Sequence, residues 1–455
     1  MKARLILGWL LVFSLVTAIG YAQETPAQRL SIAEALRLAR ANNPAYRSTL
    51  NNRWAASSEV VSSGLRLITP SATISGSHMR QQGSSQYYSF LQRTVSTPGT
   101  QSLGWDISFA YSLSGQTLAD RGLARASLRA TDADIAGSAT LLETTVRQYY
   151  LNVLQARAQV TLAEHVLDRA NETLNLARAR NSVGQGTQVD VLRAEVDKGQ
   201  AEVGLLRANQ TVGNQVLVLY QALGVPAPPT GQVVLTDTFP VTAPSLDQDT
   251  LIALALRENP GLVALRAREG YATWGVRSAY SQYAPSLFAS LGYGRSRYFT
   301  ANPVIDNTVT PPRFTGWADT TVSSTSPWTL QIGIQLPIYD RFQRTVTTSQ
   351  ARAAQEDARL AIRGQELAAR AQVTAAYQAL LAAYQTIGIQ QNNKGAAAEA
   401  LNLATERYRV GNGTFLDLLG ARVASEQAEA DYITAVYDYH KAYAALENAV
   451  GRPLR

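Results

Sequence analysis

Leu103-Gly104-Trp105-Asp106-Ile107-Ser108-Phe109-Ala110-Tyr111-Ser112-Leu113 is the stretch that decides the fold. Every second residue is large and apolar or aromatic, and those between are small or polar. Successive side chains of an extended chain point to opposite faces, so the six bulky residues share one face of a strand. Leu330, Ile332, Ile334, Leu336 and Ile338 repeat the alternation against Gln331, Gly333, Gln335 and Pro337. Each of these strands has a less regular partner rich in Ser, Gly and Tyr, at about 69–78 and about 285–299. Two half-buried hairpins of a soluble domain would give the same pattern. Strands of about ten residues, apolar on one side and wet on the other, also match the lipid face and lumen of a membrane barrel. The connections, about 79–102 and 300–327, are long, polar and aromatic-rich, as outward barrel loops are. Four strands are too few to close a membrane barrel, and an open edge in lipid leaves backbone groups unsatisfied. On the membrane reading the barrel is therefore shared between chains.

Outward from these strands the chain repeats itself. Ala35–Pro44 aligns with Leu251–Pro260 at an offset of 216, and Arg180–Leu192 aligns with Arg407–Leu419 at an offset of 227. Seven of the thirteen positions in the second pair are identical, so the chain is two copies of one unit. The first copy is expected over 23–223, with short helices, strands at about 69–78 and 102–114, and long helices at about 118–181 and 187–222. The second is expected over 248–455, with strands at about 285–299 and 328–340 and long helices at about 344–409 and 414–450. Residues 224–247 between them hold five prolines and read as an extended linker. Each short helix ends at Asn-Pro, where Pro44 or Pro260 fits the first turn of the next helix.

The long helices carry a heptad habit. Ile135, Ala139, Leu142, Val146, Tyr149, Val153, Ala156, Val160 and onward to Ala177 alternate spacings of four and three, which favours left-handed supercoiling. Val189, Leu192, Val196, Gly199, Val203 and Leu206 continue it after the turn, and Leu416, Leu419, Val423, Glu426, Ala430 and Ile433 do so in the second copy. An antiparallel helix pair buries one stripe, so further packing partners are implied.

Composition narrows the function. Of 455 residues 46% are hydrophobic and only 16% charged, about two-thirds of the usual charged share, so much of the surface faces something other than bulk water. The +7 charge falls to +5 without Lys2 and Arg4, and the 37 arginines are scattered, which argues against nucleic acid. Cysteine is absent, and His78, His165 and His440 stand far apart, so no thiolate, lipid-modified Cys or His-ligand spacing exists. With no nucleotide or hydrolase motif either, no enzyme activity, cofactor or metal is expected. Met1–Ala22 reads as a signal peptide (1–22): Lys2 and Arg4, an uncharged apolar run from Leu5 to Ile19, then small residues before Gln23. An uncleaved anchor is the alternative, although the run is short.

The Asn-Pro helix ends, strand pairs, duplication and paired Val-Gly-x-Gly-Thr-x-x-Asp turns together resemble the TolC family of outer-membrane efflux proteins. That resemblance implies a fold mainly α with membrane β: a trimer whose strands form one 12-stranded transmembrane β-barrel, continued by a long periplasmic α-helical barrel. The short helices and linker would form an equatorial region. It implies an outer-membrane exit duct of a tripartite efflux or type I secretion system, a homotrimer in outer-membrane lipid. Such a duct docks to a periplasmic adaptor (membrane fusion) protein and an inner-membrane pump. A periplasmic coiled-coil scaffold without channel activity is the alternative.

The two turns carry the local chemistry. Gly184 and Gly411 suit left-handed helix ends, and Gly186 and Gly413 free the turn sterically. Thr187 and Thr414 are N-caps, with Asp190 and Asp417 at the capping-box position. The resemblance adds a second role: Asp417, Asp190 and Tyr408 at the pore mouth, Asp417 forming an acidic ring that favours cations. It also places adaptor contact at the tips, Val183, Gly184, Gly186 and Thr187 with Val410, Gly411, Gly413 and Thr414. This chain departs from some relatives at Gly420, where a second acid would stand. At Gly413 it departs again, lacking an Arg that helps tether the closed mouth together with the Tyr and Asp matched by Tyr408 and Asp190.

Overall fold

The computed structural model describes residues 28–88, 93–97, 99–228, 233–244, 247–306, 308, 313–324 and 328–454. The expected signal peptide, and Pro229 of the expected linker, lie outside the described residues. The order is β1 (Gln28–Leu30), α1 (Ile32–Asn42), α2 (Pro44–Leu65), β2 (Ser71–Gln81), β3 (Ser84–Tyr88), β4 (Arg93–Thr97), β5 (Thr100–Leu113), α3 (Gly115–Ser182) and α4 (Gln188–Leu223). It continues through β6 (Val233–Leu235), α5 (Gln248–Glu258), α6 (Pro260–Ser281), β7 (Ser286–Asp306), β8 (Arg313–Ser324), β9 (Thr329–Gln335), α7 (Gln343–Arg409) and α8 (Phe415–Val450). None of the described helices is long and apolar enough to cross a membrane.

The Asn-Pro dipeptide does more than place proline at N1. Asn43 caps α2, its side chain accepting from the Tyr46 N–H at 3.0 Å. Asn259 caps α6, accepting from the Gly261 and Leu262 N–H groups at 2.9 and 3.3 Å and donating to the Ala449 carbonyl at 2.9 Å.

The chain divides into two units. One comprises the described residues of Met1–Asn42, Val146–Thr242 and Ile389–Tyr437; the other comprises Asn43–Thr145, Ala243–Gly388 and Asp438–Arg455. The second contains the sheet. β2, β5 and β7 pair antiparallel in that order, and β7 is long enough to take β9 along Ser286–Gly292 and β8 along Ser296–Asp306. Segments expected as plain connections thus carry strands: β3 and β4 pair with each other, and β7 and β8 continue their ribbon into 300–327. These stretches hold Thr, Tyr and Val, which favour extended backbone, interspersed with Ser and without an apolar period to reveal it. β9 ends at Gln335, short of 340, and Pro337 supplies no N–H to prolong it. A core of Leu251, Val373, Leu380, Tyr439 and Leu446 holds the helices of this unit.

In the first unit the middle of the expected linker is ordered as β6, which runs parallel to β1. A buried clasp fixes it: the Tyr150 hydroxyl lies 2.6 Å from Asp237 Oδ2 and 2.9 Å from the Leu30 carbonyl, and Asp237 also accepts the Ile32 N–H at 2.7 Å. Burial, then the Asp237 carboxylate, raise the Tyr150 phenol well above its ordinary value. Tyr150, not the heptad residue Tyr149, is the buried member here, while Val153, Ala156, Ala170, Leu174 and Ala177 are buried as expected. The α4 stripe differs. Val189, Leu192, Val196, Val203 and Leu206 are exposed, and Val191, Ala194, Asp197 and Ala201 are buried instead. Leu416 and Val423 of α8 are exposed too, with Phe415, Leu418, Arg422 and Ser425 turned inward. Along residues 189–206, α4 buries its smaller residues within the chain and leaves its larger apolar stripe uncovered.

Candidate functional site

The two turns, α3 to α4 and α7 to α8, lie together in the first unit. Each ends its incoming helix in the same way. Gly184 has φ +76°, its N–H donates to the Asn181 carbonyl at 3.1 Å, and the Gln185 N–H reaches back to the Arg180 carbonyl at 2.9 Å. Gly411 has φ +88°, with matching bonds from Gly411 to Tyr408 at 3.2 Å and from Asn412 to Arg407 at 2.8 Å. This double closure satisfies carbonyls that a helix end leaves free, and positive φ is where glycine costs least. A Cβ on Gly186 would approach Asn181 N to 3.1 Å and one on Gly413 would approach Arg407 Cβ to 3.1 Å, so both second glycines answer to crowding.

Each outgoing helix begins with a reciprocal cap. The Asp190 N–H donates to Thr187 Oγ1 at 3.2 Å while the Thr187 N–H donates to Asp190 Oδ2 at 3.3 Å. In the second turn the same bonds measure 3.1 and 3.2 Å, and the Thr414 hydroxyl adds a third to Asp417 Oδ2 at 2.7 Å. The Thr414 hydroxyl, then its N–H, hold the Asp417 carboxyl below the ordinary value. Asp417 stays exposed and Asp190 is half-buried, so capping leaves the second carboxylate at the surface. Val183 and Val410 are 68% and 65% exposed at the tips.

Tyr408 is the site residue whose placement departs most from a mouth-lining role. It is only 3% exposed, packed with Leu174, Ala177, Val191, Ala194, Phe415 and Leu418. Its ring meets Phe415 edge-on at 5.8 Å, and its hydroxyl makes no hydrogen bond, to Asp190 or any other described residue. Burial raises the phenol above its ordinary value, with the Asp190 charge second. What joins the two turns is Arg180. Its guanidinium stacks 4.4 Å from the Tyr408 ring, donates to the Tyr408 carbonyl, and donates through Nη2 to the Gln185 carbonyl at 2.9 Å. In the sequence Arg180 stands out only as a repeated position; the signal for its role is an arginine on the last helical turn, where free carbonyls need donors.

Behind the turns lies a buried ionic cluster. Arg422, 3% exposed, pairs with Asp197 of α4 and reaches Glu426 Oε1 at 3.1 Å. Arg169 of α3 holds Glu429 through 2.8 and 3.0 Å bonds. A cavity of about 490 Å³ opens beside them, lined among others by Thr173, Asn402 and Thr405. Desolvation raises the Glu426 carboxyl above its ordinary value; Arg422 opposes this and Asp197 adds to it. Heptad spacing gave Glu426 a seam position without revealing its partners. No group of carboxylates and histidines suited to a metal occurs among the described residues.

Comparison with known proteins follows the duplication. The family described as "Outer membrane efflux protein" matches residues 35–225 and 251–452, one block per copy. The outer membrane efflux protein BepC of Brucella suis biovar 1 (strain 1330) is 24% identical over 311 residues, which are 67% of this chain and 61% of BepC. The outer-membrane channel OprN superposes with a TM-score of 0.70 at 18% identity, over 93% of this chain and 90% of OprN. The outer membrane protein VceC of Vibrio cholerae superposes at 0.69 and 17% identity, over 93% of this chain and 97% of VceC. The fold is that of TolC-like outer-membrane channels. With both copies matched across nearly all of their length, the chain belongs to the outer membrane efflux protein family, a family of outer-membrane channels.

Proposed function

We propose that the chain is one subunit of a trimeric exit duct, passive in itself, that works with a periplasmic adaptor and an inner-membrane pump. The observation that carries this reading is the sheet. Every residue of β2 is exposed, β9 is exposed at all but one position, and the outer edges of β2 and β9 have no partner among the described residues. Backbone edges and apolar faces left open in one chain are stable where copies pair edge to edge in lipid. The strands β2, β5, β7 and β9 of three copies make twelve, above the eight a membrane barrel requires. The uncovered apolar stripe of α4 supports neighbouring copies as well, since heptad stripes bury against further helices.

At the tips, the exposed Asp417 and the half-buried Asp190 suit a cation-favouring mouth, with Tyr408 shaping it from behind. Val183 and Val410, beside Gly184 and Gly411, suit adaptor contact. Efflux is favoured over a soluble scaffold because a scaffold has no use for a sheet exposed on both faces.

Reconstitution tests the reading. The purified protein should require detergent and conduct ions in a planar bilayer. A protein that stays soluble after osmotic shock and never conducts would be the scaffold instead.

A further inference from the structure

One face of the sheet changes character along its length. Cross-strand register sets residues of β2, β5 and β7 side by side on that face. Near the helices the rows are uncharged: Leu113 faces Leu287, Tyr111 faces Ala289, Phe109 lies between Ala72 and Leu291, and Ile107 between Ile74 and Tyr293. Toward the far end the rows turn basic. Trp105 has Arg295 opposite it, Leu103 lies between His78 and Arg297, and Gln101 between Arg80 and Phe299.

Arg80, Arg295 and Arg297 are all exposed, and none has an acidic partner among the described residues. Asp106 points to the other face, where Ser75 binds it. The side chains that flank the arginines are themselves in contact: Gln101 Nε2 lies 2.8 Å from His78 Nε2, and the Trp105 ring meets Tyr293 edge-on at 5.8 Å. Gly76, across from Trp105, carries no side chain and leaves the indole flank open.

Magnitudes place this cluster at a boundary. From Leu103 to Leu113 the strand rises ~33 Å, or about 23 Å of height at ~45° tilt, against an apolar band of about 25 Å in outer-membrane barrels. Arg297 is then level with the edge of the band, Arg80 one row beyond, and Arg295 one row inside with a stem long enough to reach the edge. Uncompensated guanidinium groups at a lipid boundary call for anions, and the guanidinium fork matches phosphate oxygens two at a time. An aromatic flank is the usual companion of a headgroup level.

On the duct reading, which puts this face in lipid and its far end in the outer leaflet, we propose that Arg80, Arg295 and Arg297 form a binding site for the phosphate groups of outer-leaflet glycolipid headgroups. A lipid is favoured over free phosphate because the site adjoins uncharged apolar rows that acyl chains would cover.

The test uses the full-length protein in detergent, titrated with diphosphorylated lipid A, the same lipid with its phosphates removed, and inorganic phosphate. Native mass spectrometry and tryptophan fluorescence report binding. Wild type should prefer the phosphorylated lipid at least tenfold, and Arg80→Gln/Arg295→Gln/Arg297→Gln should reduce the preference below about threefold while its bilayer conductance is unchanged. The single Arg297→Gln variant should show about a threefold loss, which keeps the test informative if the triple variant folds poorly. Equal binding of both lipids by wild type, or full preference in the single variant, would overturn the site. So would displacement of the lipid by an equal concentration of inorganic phosphate, which would make the cluster a general anion surface. Conductance without lipid preference removes this site alone; absence of conductance in wild type removes the duct reading with it.

Discussion

The two helical turns share seven of thirteen residues and the same backbone, yet they do different work. Asn181 and Gln188 of the first turn correspond to Tyr408 and Phe415 of the second at the offset of 227. In the first turn this pair is a hydrogen bond, Asn181 Nδ2 to Gln188 Oε1 at 3.2 Å, in exposed surroundings. In the second it is a buried aromatic contact at 5.8 Å. The arginines that precede them diverge with them. Arg180 crosses to the Tyr408 ring and carbonyl, whereas Arg407 remains by its own turn, where its charge adds to the lowering of the Asp417 carboxyl. A duplicated backbone fixes glycines and caps; the residue pair between them decides which copy supplies core and which lies on it.

Exchanging that pair should break the comparison hardest. Tyr408→Asn with Phe415→Gln empties a buried cluster and should cost about 3–5 kcal/mol by denaturant unfolding of the helical signal. The reverse exchange, Asn181→Tyr with Gln188→Phe, alters an exposed pair and should stay within about 0.5 kcal/mol. Equal costs would mean the turns are equivalent after all. Next in size is the arginine. Arg180→Ala removes two hydrogen bonds from a charged donor and a ring contact, and should cost about 2–3 kcal/mol locally, read as roughly 30- to 150-fold faster amide exchange at both tips. Arg407→Ala should leave exchange at the first tip unchanged.

Two carboxylates of α8 sharpen the contrast through pH. Glu426 has a raised folded-state pKa, so its contribution to stability is full below the ordinary glutamate value of 4.5 and is lost as pH rises through the raised one. Asp417 is lowered, so its contribution holds above the ordinary value of 3.8 and is lost only as pH falls through the depressed one. Thermal unfolding of wild type should therefore show a loss of stability above pH 4.5 that Glu426→Gln flattens and Asp417→Asn does not. The smallest effect concerns permeation: on the mouth reading, Asp417→Asn should reduce the cation preference measured by reversal potential, and Asp190→Asn should do so less. Identical reversal potentials for wild type and both variants would leave Thr414 and Asp417 as a helix cap alone.

These contrasts also mark what one sequence can reveal. Periodicity was legible where a single rule acts: alternation in Leu103–Leu113, heptads in α3, glycine and threonine at the turns. It was silent where several chain segments meet. Nothing local announces that β6 pairs with β1 around Tyr150 and Asp237, or that Arg422 finds Asp197, because those partners lie 87 and 225 residues apart. The ribbons of β3, β4 and β8 are silent in the sequence because Thr and Tyr extend without an apolar period. The apolar residues of α4 do form a stripe, but it faces away from its own chain. Heptad spacing says that a face is buried, not by whom.

On the duct reading the sheet, open at both edges and exposed on both faces, is completed by other copies of the chain. An electron-microscopic image of the purified particle in detergent tests it most directly. A hollow tube with threefold symmetry is the predicted result. A compact particle of one chain, with β2 and β9 covered by its own residues, would contradict it.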